Sequence, residues 1–281
     1  MEKIDIKAIA KTVTDSLIDS SAFIPECDSG ILNLEEIKKS LRLVRSIVFS
    51  NYFDNSGSDD EIVQLYSILS RQIYLSCYSH GDDEQKNIVL SQEAAADVIR
   101  QIPELKRQLG TDVKAVFDAD PAAENYQEVI LCYPAIVAMT HYRFAHILSE
   151  IRVPVIPRMI TEMAHSRTGI DIHPEAKIGD YFSIDHGTGV VIGQTCIIGD
   201  HVSLYQGVTL GAKSFKFDSD GNPVNEPRHP IIEDHVIIYS NTSVLGRITI
   251  GHHSIIGGNI WQTKDVPPYS HVRQRLPSLS K

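Results

Sequence analysis

The stretch at residues 170–189, IDIHPEAKIGDYFSIDHGTG, decides how the second part of this chain is read. Isoleucines at 172, 178 and 184 recur every sixth residue, while Asp171, His173, Asp185 and His186 crowd the same span. A two-residue extension within DHGTGVV follows, and the series resumes at Ile192, Ile198, Leu204 and Leu210. After a break it returns at Ile232, Ile238, Val244, Ile250 and Ile256. The position four further on is mostly small or apolar: Ala176, Thr188, Cys196, Val202, Val208, Val236, Thr242 and Ile248. Repetition on this scale outranks any local propensity.

The period predicts a solenoid of short parallel strands, each hexad forming one side of a coil with its aliphatic residue inward. Three sides make a coil of about 18 residues, hence about four coils. The break, GAKSFKFDSDGNPVNEPRHP, is rich in Gly, Pro, Asp and Asn and reads as a loop extruded over 212–230. Within it DSDGN is taken as a plain turn, because a calcium loop's spaced third acid and distal Glu are missing.

Upstream the period is helical. NLEEIKKSLRLVRSIVFSNYF spaces Leu34, Ile37, Leu41, Val44 and Val48 by threes and fours after Asn33, a suitable cap. DEIVQLYSILSRQIYLSCY repeats the pattern with Ile62, Leu65, Ile68 and Leu69. A third helix is predicted to open at Ser91 and stop at Gly110. A fourth covers Tyr126 to about Glu150, and a last one lies near 158–166 after the Pro154–Pro157 interruption. The fold class is therefore α+β: an all-helical domain over 1–166 for packing, oligomerisation and part of the substrate site, then a β-helix over 167–281 with a short tail.

Net charge is −10, with −9 carried by residues 1–165 and only −1 by the rest. That balance argues against nucleic acid or an anionic membrane as partner, and leaves the second part less repulsive to an anionic cofactor. Cys27, Cys77, Cys132 and Cys196 show no CxxC spacing, so free or buried thiols are expected, without a disulfide frame or zinc site. The N-terminus has no apolar signal region. The most apolar run, 129–139, is far short of the roughly 20 residues that span a bilayer. A cytoplasmic location is the expectation.

Three polar clusters survive this layout. Asp171 and His186 are fifteen residues apart, so they should share a corner on successive coils. There a carboxylate can orient an imidazole as general base, although a coil-capping Asp171 and a solvated His186 fit the spacing too. Asp185 precedes His186 beside the extension, where both can reach a cleft or form an ordinary turn. Arg228 and His229 re-enter the solenoid after the loop, and an Arg there suits a carboxylate, or is a plain surface residue.

DIHPEAKIGDYFSIDHGTGVVIGQTCIIGDHVSLYQGVTLG together with RHP closely resembles the serine acetyltransferases, hexapeptide-repeat acyltransferases that make O-acetyl-L-serine for cysteine synthesis. The match is dense over about 171–260, and DADPAAENY (118–126) resembles the family's Asp-Pro-Ala segment. The resemblance alone implies a left-handed parallel β-helix, an exception to the usual right-handed crossover. It puts the catalytic histidine on His186 and its orienting aspartate on Asp171. It puts serine binding on Asp120, Asp185, Arg228 and His229. Two carboxylates would hold the serine ammonium and Arg228 its carboxylate, leaving the hydroxyl facing His186 for direct attack on the thioester. Acetyl-CoA is the implied co-substrate, with backbone amides around Gly211 and Ala212 as candidates for its pantetheine arm; no metal is implied. Cys196 occupies a small inward slot and is expected to be structural, and His173, at a corner beside Pro174, is assigned no chemistry.

The implied assembly is a homotrimer with sites between subunits, with a dimer of trimers as the alternative. Departures from the family pattern are specific. Gln194 stands where the family has an acid, VTLGAKS replaces VTLGGTG, and the segment after Val266–Pro268 differs. The CoA nucleotide end then needs other cations, Lys264, Arg273 or Arg275. A last residue of Lys281 removes the isoleucine by which relatives dock the O-acetylserine sulfhydrylase, so that complex is not expected. An acetyltransferase for another small hydroxyl or amine, and a non-catalytic solenoid, are the alternative readings. The set Asp120, Asp185 and Arg228, suited to a zwitterion, favours the first reading over both.

Overall fold

A computed structural model of the protein describes residues 6–18, 30–53, 58–77, 83–214 and 216–274; Cys27, Arg275 and Lys281 lie outside the described residues. Among these residues the helices are α1 (Ile6–Ile18), α2 (Leu34–Val48), α3 (Asp59–Cys77), α4 (Glu84–Arg100), α5 (Ile102–Ala119), α6 (Tyr126–Cys132), α7 (Pro134–Glu150) and α8 (Ile156–Thr168). Asn33 caps α2 as predicted, its side-chain oxygen accepting from the amides of Glu35 and Glu36. Ile37, Leu41, Val44 and Val48 are buried, whereas Leu34 stays exposed.

Two expectations for the helices are corrected. The third helix opens at an Asp83 cap, not at Ser91, whose hydroxyl donates back to the Asn87 carbonyl. It breaks at Gln101 because Pro103 lacks the N–H that would continue its ladder. Gly110 does not stop the chain: it lies inside α5 facing open space, at a cost of about 1 kcal/mol relative to Ala. Pro134 likewise divides the region from Tyr126 to Glu150 into α6 and α7.

From Asp171 to Val272 the described residues form a left-handed parallel β-helix. The first sheet stacks Asp171–Ile172, Val191–Ile192, Thr209–Gly211, Ser243–Leu245 and Trp261–Gln262. The second stacks Lys177–Ile178, Ile197–Ile198, Ile231–Ile232 and Thr249–Ile250; the third stacks Ser183–Asp185, Ser203–Tyr205, Ile237–Ile238, Ile255–Ile256 and His271–Val272. Five coils result, one more than the hexad count predicts. The last is closed by the segment after Ile256, where Val266 bridges Ile250 and takes the place of a regular hexad. The aliphatic ladder faces inward as expected, each fully buried member contributing about 1.5–3 kcal/mol.

Register locates both irregularities. Partners in the first sheet, Asp171↔Val191, Val191↔Thr209, Thr209↔Ser243 and Ser243↔Trp261, are 20, 18, 34 and 18 residues apart. The second coil-to-coil step is regular, so the first holds a two-residue extension and the third a sixteen-residue loop. Asp185 pairs with Tyr205, and the Gly207 amide bonds the Thr188 carbonyl, so residues 186–188 stand where the next coil has only Gln206. One slot changes as a result: Val190 is buried where the period assigns Thr188, which is exposed.

The helices are clamped to the first coil. The Arg143 guanidinium of α7 makes two hydrogen bonds to Asp112 of α5 (2.6 and 2.8 Å) and donates to the Gly179 carbonyl (2.7 Å); both side chains are buried. The Phe182 amide donates to the same Asp112. Breaking such a pair leaves an uncompensated buried charge, at a cost of about 3–5 kcal/mol. Outside it, Arg107 bridges Glu104 and Asp180, and the Tyr142 hydroxyl donates to the Ala176 carbonyl. These contacts fix α5, and with it the residue that ends it, Asp120.

Candidate active site

Asp120 is the C-terminal cap of α5, carried there by the clamp. One carboxylate oxygen accepts from the Ala122 amide (2.8 Å) and the other from the Tyr133 hydroxyl (2.6 Å), just ahead of Pro134. These bonds hold the Asp120 carboxyl below the usual range, with a smaller contribution from the nearby His186. In turn Asp120 pushes the Tyr133 phenol up to about 12. Tyr133 carries no motif, and sequence reasoning missed it.

His186 sits within the two-residue extension with φ at +58°, a left-handed conformation that costs about 1–2 kcal/mol for a non-glycine residue. That turn throws the imidazole outward: its side chain is 72% exposed, 3.8 Å from the Asp185 carboxylate. Across the ladder from Asp185 lies Tyr205, stacked on Tyr239 with centroids 4.8 Å apart. Burial, then Tyr239, Asp185 and Asp120, raise the Tyr205 phenol. A cavity of about 390 Å³ opens beside Asp185, between α5 and the third sheet. Asp120, Asp185 and His186 are thus gathered at the corner between the third and first sheets.

Arg228 and His229 lie at another corner, between the first and second sheets. Thr195 accepts at its hydroxyl from both of their amides (2.9 and 3.0 Å), and its own amide donates to His229 Nδ1 (3.1 Å). The acceptor role of Nδ1 leaves Nε2 to carry the proton of a neutral ring. Burial, and after it Arg228, His173 and Arg247, depress His229 to about 4. Only a glycine fits beneath this ring: a Cβ on Gly193 would stand 2.0 Å from it. Arg228 Nη2 donates to Gln194 Oε1 (2.8 Å), and Gln194 Nε2 donates to Glu175 (2.7 Å). Gln194 thereby relays an acid to the arginine. His173, to which the sequence reading assigned no chemistry, stands near this group. Gly211 and Ala212 enter the same corner, and exposed Lys264 follows the last strand of the first sheet there.

Asp171 belongs to neither gathering. Its corner is shared with His186 as predicted: a Cβ on Gly187 would lie 2.5 Å from the Ile170 side chain. Yet no hydrogen bond or ion pair joins the two side chains within this chain. Asp171 faces Arg158 of α8 instead, at 3.8 Å, and Arg158 also pairs with Glu162. Glu162, His165 and Asp171 bring possible ligand atoms within 4.8 Å of one another, with the Arg158 guanidinium supplying positive charge among them. Cys196 points into the core, its thiol against the Leu210 carbonyl, and burial pushes it up to about 12, so it is no thiolate nucleophile.

No family model matches the chain. A Synechococcus elongatus protein described as "serine acetyltransferase, plasmid" is 46% identical over 82% of this chain and 73% of its own length. The structure of Entamoeba histolytica serine acetyltransferase isoform 3, solved with cysteine, superposes with a TM-score of 0.74 at 31% identity, covering 98% of this chain and 94% of that one. The Neisseria gonorrhoeae serine acetyltransferase, solved with serine, gives 0.58 at 27% identity, over 84% of this chain and 95% of that one. An identity this high across four-fifths of the sequence, on a shared solenoid, makes the chain a member of the serine acetyltransferase family.

Proposed function

We propose that this enzyme acetylates L-serine from acetyl-CoA with His186 as general base, in a site that two copies of the chain complete. The observation that carries the reading is the gathering of Asp120, Asp185 and His186 at one corner of the solenoid. Two carboxylates there suit the serine ammonium, and the outward imidazole suits its hydroxyl. Arg228, with neutral His229 beside it as a donor, suits the carboxylate. His186 takes the hydroxyl proton as the serine oxygen attacks the thioester carbonyl. The tetrahedral intermediate then expels the CoA sulfur, which receives that proton, giving O-acetyl-L-serine and free CoA. Asp171 orients the imidazole once Arg158 no longer competes for it. Backbone amides at Gly211 and Ala212 line the pantetheine arm, and Lys264 and Arg273 serve its phosphates.

One triangular solenoid holds the two groups at different corners, so a neighbour's Arg228 corner must face each His186. Threefold symmetry makes every site alike, and a homotrimer follows. In this reading residues 1–166 assemble the trimer and lend Asp120, while 167–281 carry the chemistry. Cysteine, the ligand in the Entamoeba structure, matches serine except at one atom and competes for the same pocket. Among the described residues no helix is long and apolar enough to cross a membrane, which is compatible with the cytoplasm. Thiol release from acetyl-CoA tests the assignment: it should depend on L-serine. Absence of turnover at millimolar serine, or equal turnover with an amino sugar, would overturn it.

A further inference from the structure

Between α2, α7 and α8 lies an open cavity of about 570 Å³, lined by none of the residues of these corners. Lys38, Arg42 and Arg45 face it from one side of α2, at the i, i+4 and i+7 spacing that aligns residues along a helix. His141 of α7 and Arg167 of α8 close the ring of cations, and no acidic side chain lines it. Like charges four apart weaken a helix by about 0.2–0.5 kcal/mol, and the chain as a whole carries a net charge of −10. Such a concentration of positive charge therefore stands out against its background.

The bonding of these groups separates structure from vacancy. Arg45 is tied down, donating to the Ile130 carbonyl (3.0 Å) and lying 5.0 Å over the Phe53 ring. Lys38 is bonded to Glu35 (2.8 Å). The side chains of Arg42 and Arg167 make no hydrogen bond or ion pair with any described residue. His141 Nδ1 donates to the Val137 carbonyl (2.7 Å), which leaves Nε2 for the cavity the ring lines. Leu41 and Met163 supply an apolar floor. Two guanidiniums without a bonded carboxylate, a seated third and an imidazole form a set of forked donors, and Glu35, the acid held by Lys38, does not line the cavity; such a set grips phosphate oxygens.

We propose that this cavity binds a di- or triphosphate group, at a site separate from the acetyl-transfer corners. Arg42 and Arg167 line the same cavity and would take the phosphates between them, with Leu41 and Met163 accepting an organic body attached to them. Burial first, and then Arg167 and Arg45, hold His141 below its ordinary range; Lys38 and Arg42 line the same cavity. A bound anion reverses that balance, so binding takes up a proton and tightens as pH falls from 7 towards 6.

Calorimetry on the full chain tests this with inorganic triphosphate at near-physiological salt, in the parent protein and in Lys264→Gln, which removes a cation proposed for the CoA phosphates and should leave triphosphate binding as it is. Saturable binding is expected, with a raised melting temperature. Arg42→Gln combined with Arg167→Gln should weaken binding by at least about tenfold and leave serine turnover unchanged. Arg100→Gln, an exposed cation on α4, should leave binding unchanged. No heat at millimolar triphosphate would overturn the proposal, and so would equal affinity in the double variant. A double variant that alters the oligomeric mass, with no triphosphate bound by the parent protein, would assign the cavity to a neighbouring copy and overturn it as well.

Discussion

The Tyr133 hydroxyl donates a 2.6 Å hydrogen bond to Asp120, linking the start of α7 to the acid that ends α5. A charge-assisted bond of this kind contributes about 1.5–3 kcal/mol when buried, and about 1 kcal/mol at this partly exposed site. Tyr133→Phe should therefore raise the KM for serine about fivefold and leave the KM for acetyl-CoA alone. The Asp120 carboxyl, held down chiefly by Tyr133, moves up towards its ordinary value in the variant. The added loss of serine affinity then begins at a higher pH as the solution is acidified. Steady-state kinetics across the acid range checks both, and an unchanged serine KM would remove Asp120 from the ammonium site.

Gln194 bridges Arg228 to Glu175 through bonds of 2.8 and 2.7 Å. It positions the arginine without touching substrate in the proposed pose. Gln194→Ala should raise the serine KM about three- to tenfold, the loss of one charged hydrogen bond, while kcat changes less. Gln194→Glu keeps an acceptor for Arg228 and should recover most of the affinity, which a merely structural role would not require. Comparing KM against kcat for the three proteins decides it.

The hexad made the solenoid legible because a period of six has few other physical readings, and register then confirmed the extension at His186 and the loop before Ile231. Local punctuation was less reliable. Gly110 signalled a stop, but α5 runs on because its packing against α7 outweighs one glycine. The fifth coil escaped notice because Val266 and Val272 close it without a regular hexad. Asp171 and His186 share a corner, as their spacing requires, but the period says nothing of side chains. A competing Arg158 from α8 could not be read from the repeat. Tyr133 was invisible for a similar reason: thirteen residues and a helix break separate it from Asp120.

His229 is held at about 4 by burial and by its cationic neighbours, against about 6.5 in an unfolded chain. Its folded value is depressed, so the unfolded state binds more protons between these limits. Stability should be full above pH 6.5 and fall as pH drops towards 4, by on the order of 1–2 kcal/mol after allowing for partial solvent access. His229→Gln keeps an acceptor for the Thr195 amide but does not titrate. Urea unfolding at pH 7, 5.5 and 4.5 should show the parent protein losing more stability than the variant. Parallel losses would mean that His229 is not the group responsible.

The partition of the site between two corners yields its own experiment. His186→Ala should cost several orders of magnitude in turnover with the fold retained, and Arg228→Ala should raise the serine KM steeply. If each site draws His186 from one copy and Arg228 from the next, a trimer mixed from the two variants regains some intact sites. An interface is intact when the copy offering His186 is the Arg228 variant and its neighbour is the His186 variant. Random assembly from equal amounts makes that true of about one interface in four, so co-refolding should restore about a quarter of parental activity at low serine. Separately refolded variants, mixed afterwards without exchange, should restore none. Failure of the co-refolded mixture, with both single variants impaired, would place Arg228 and His186 of each site on a single chain, and the proposed partition of the site between copies would fall.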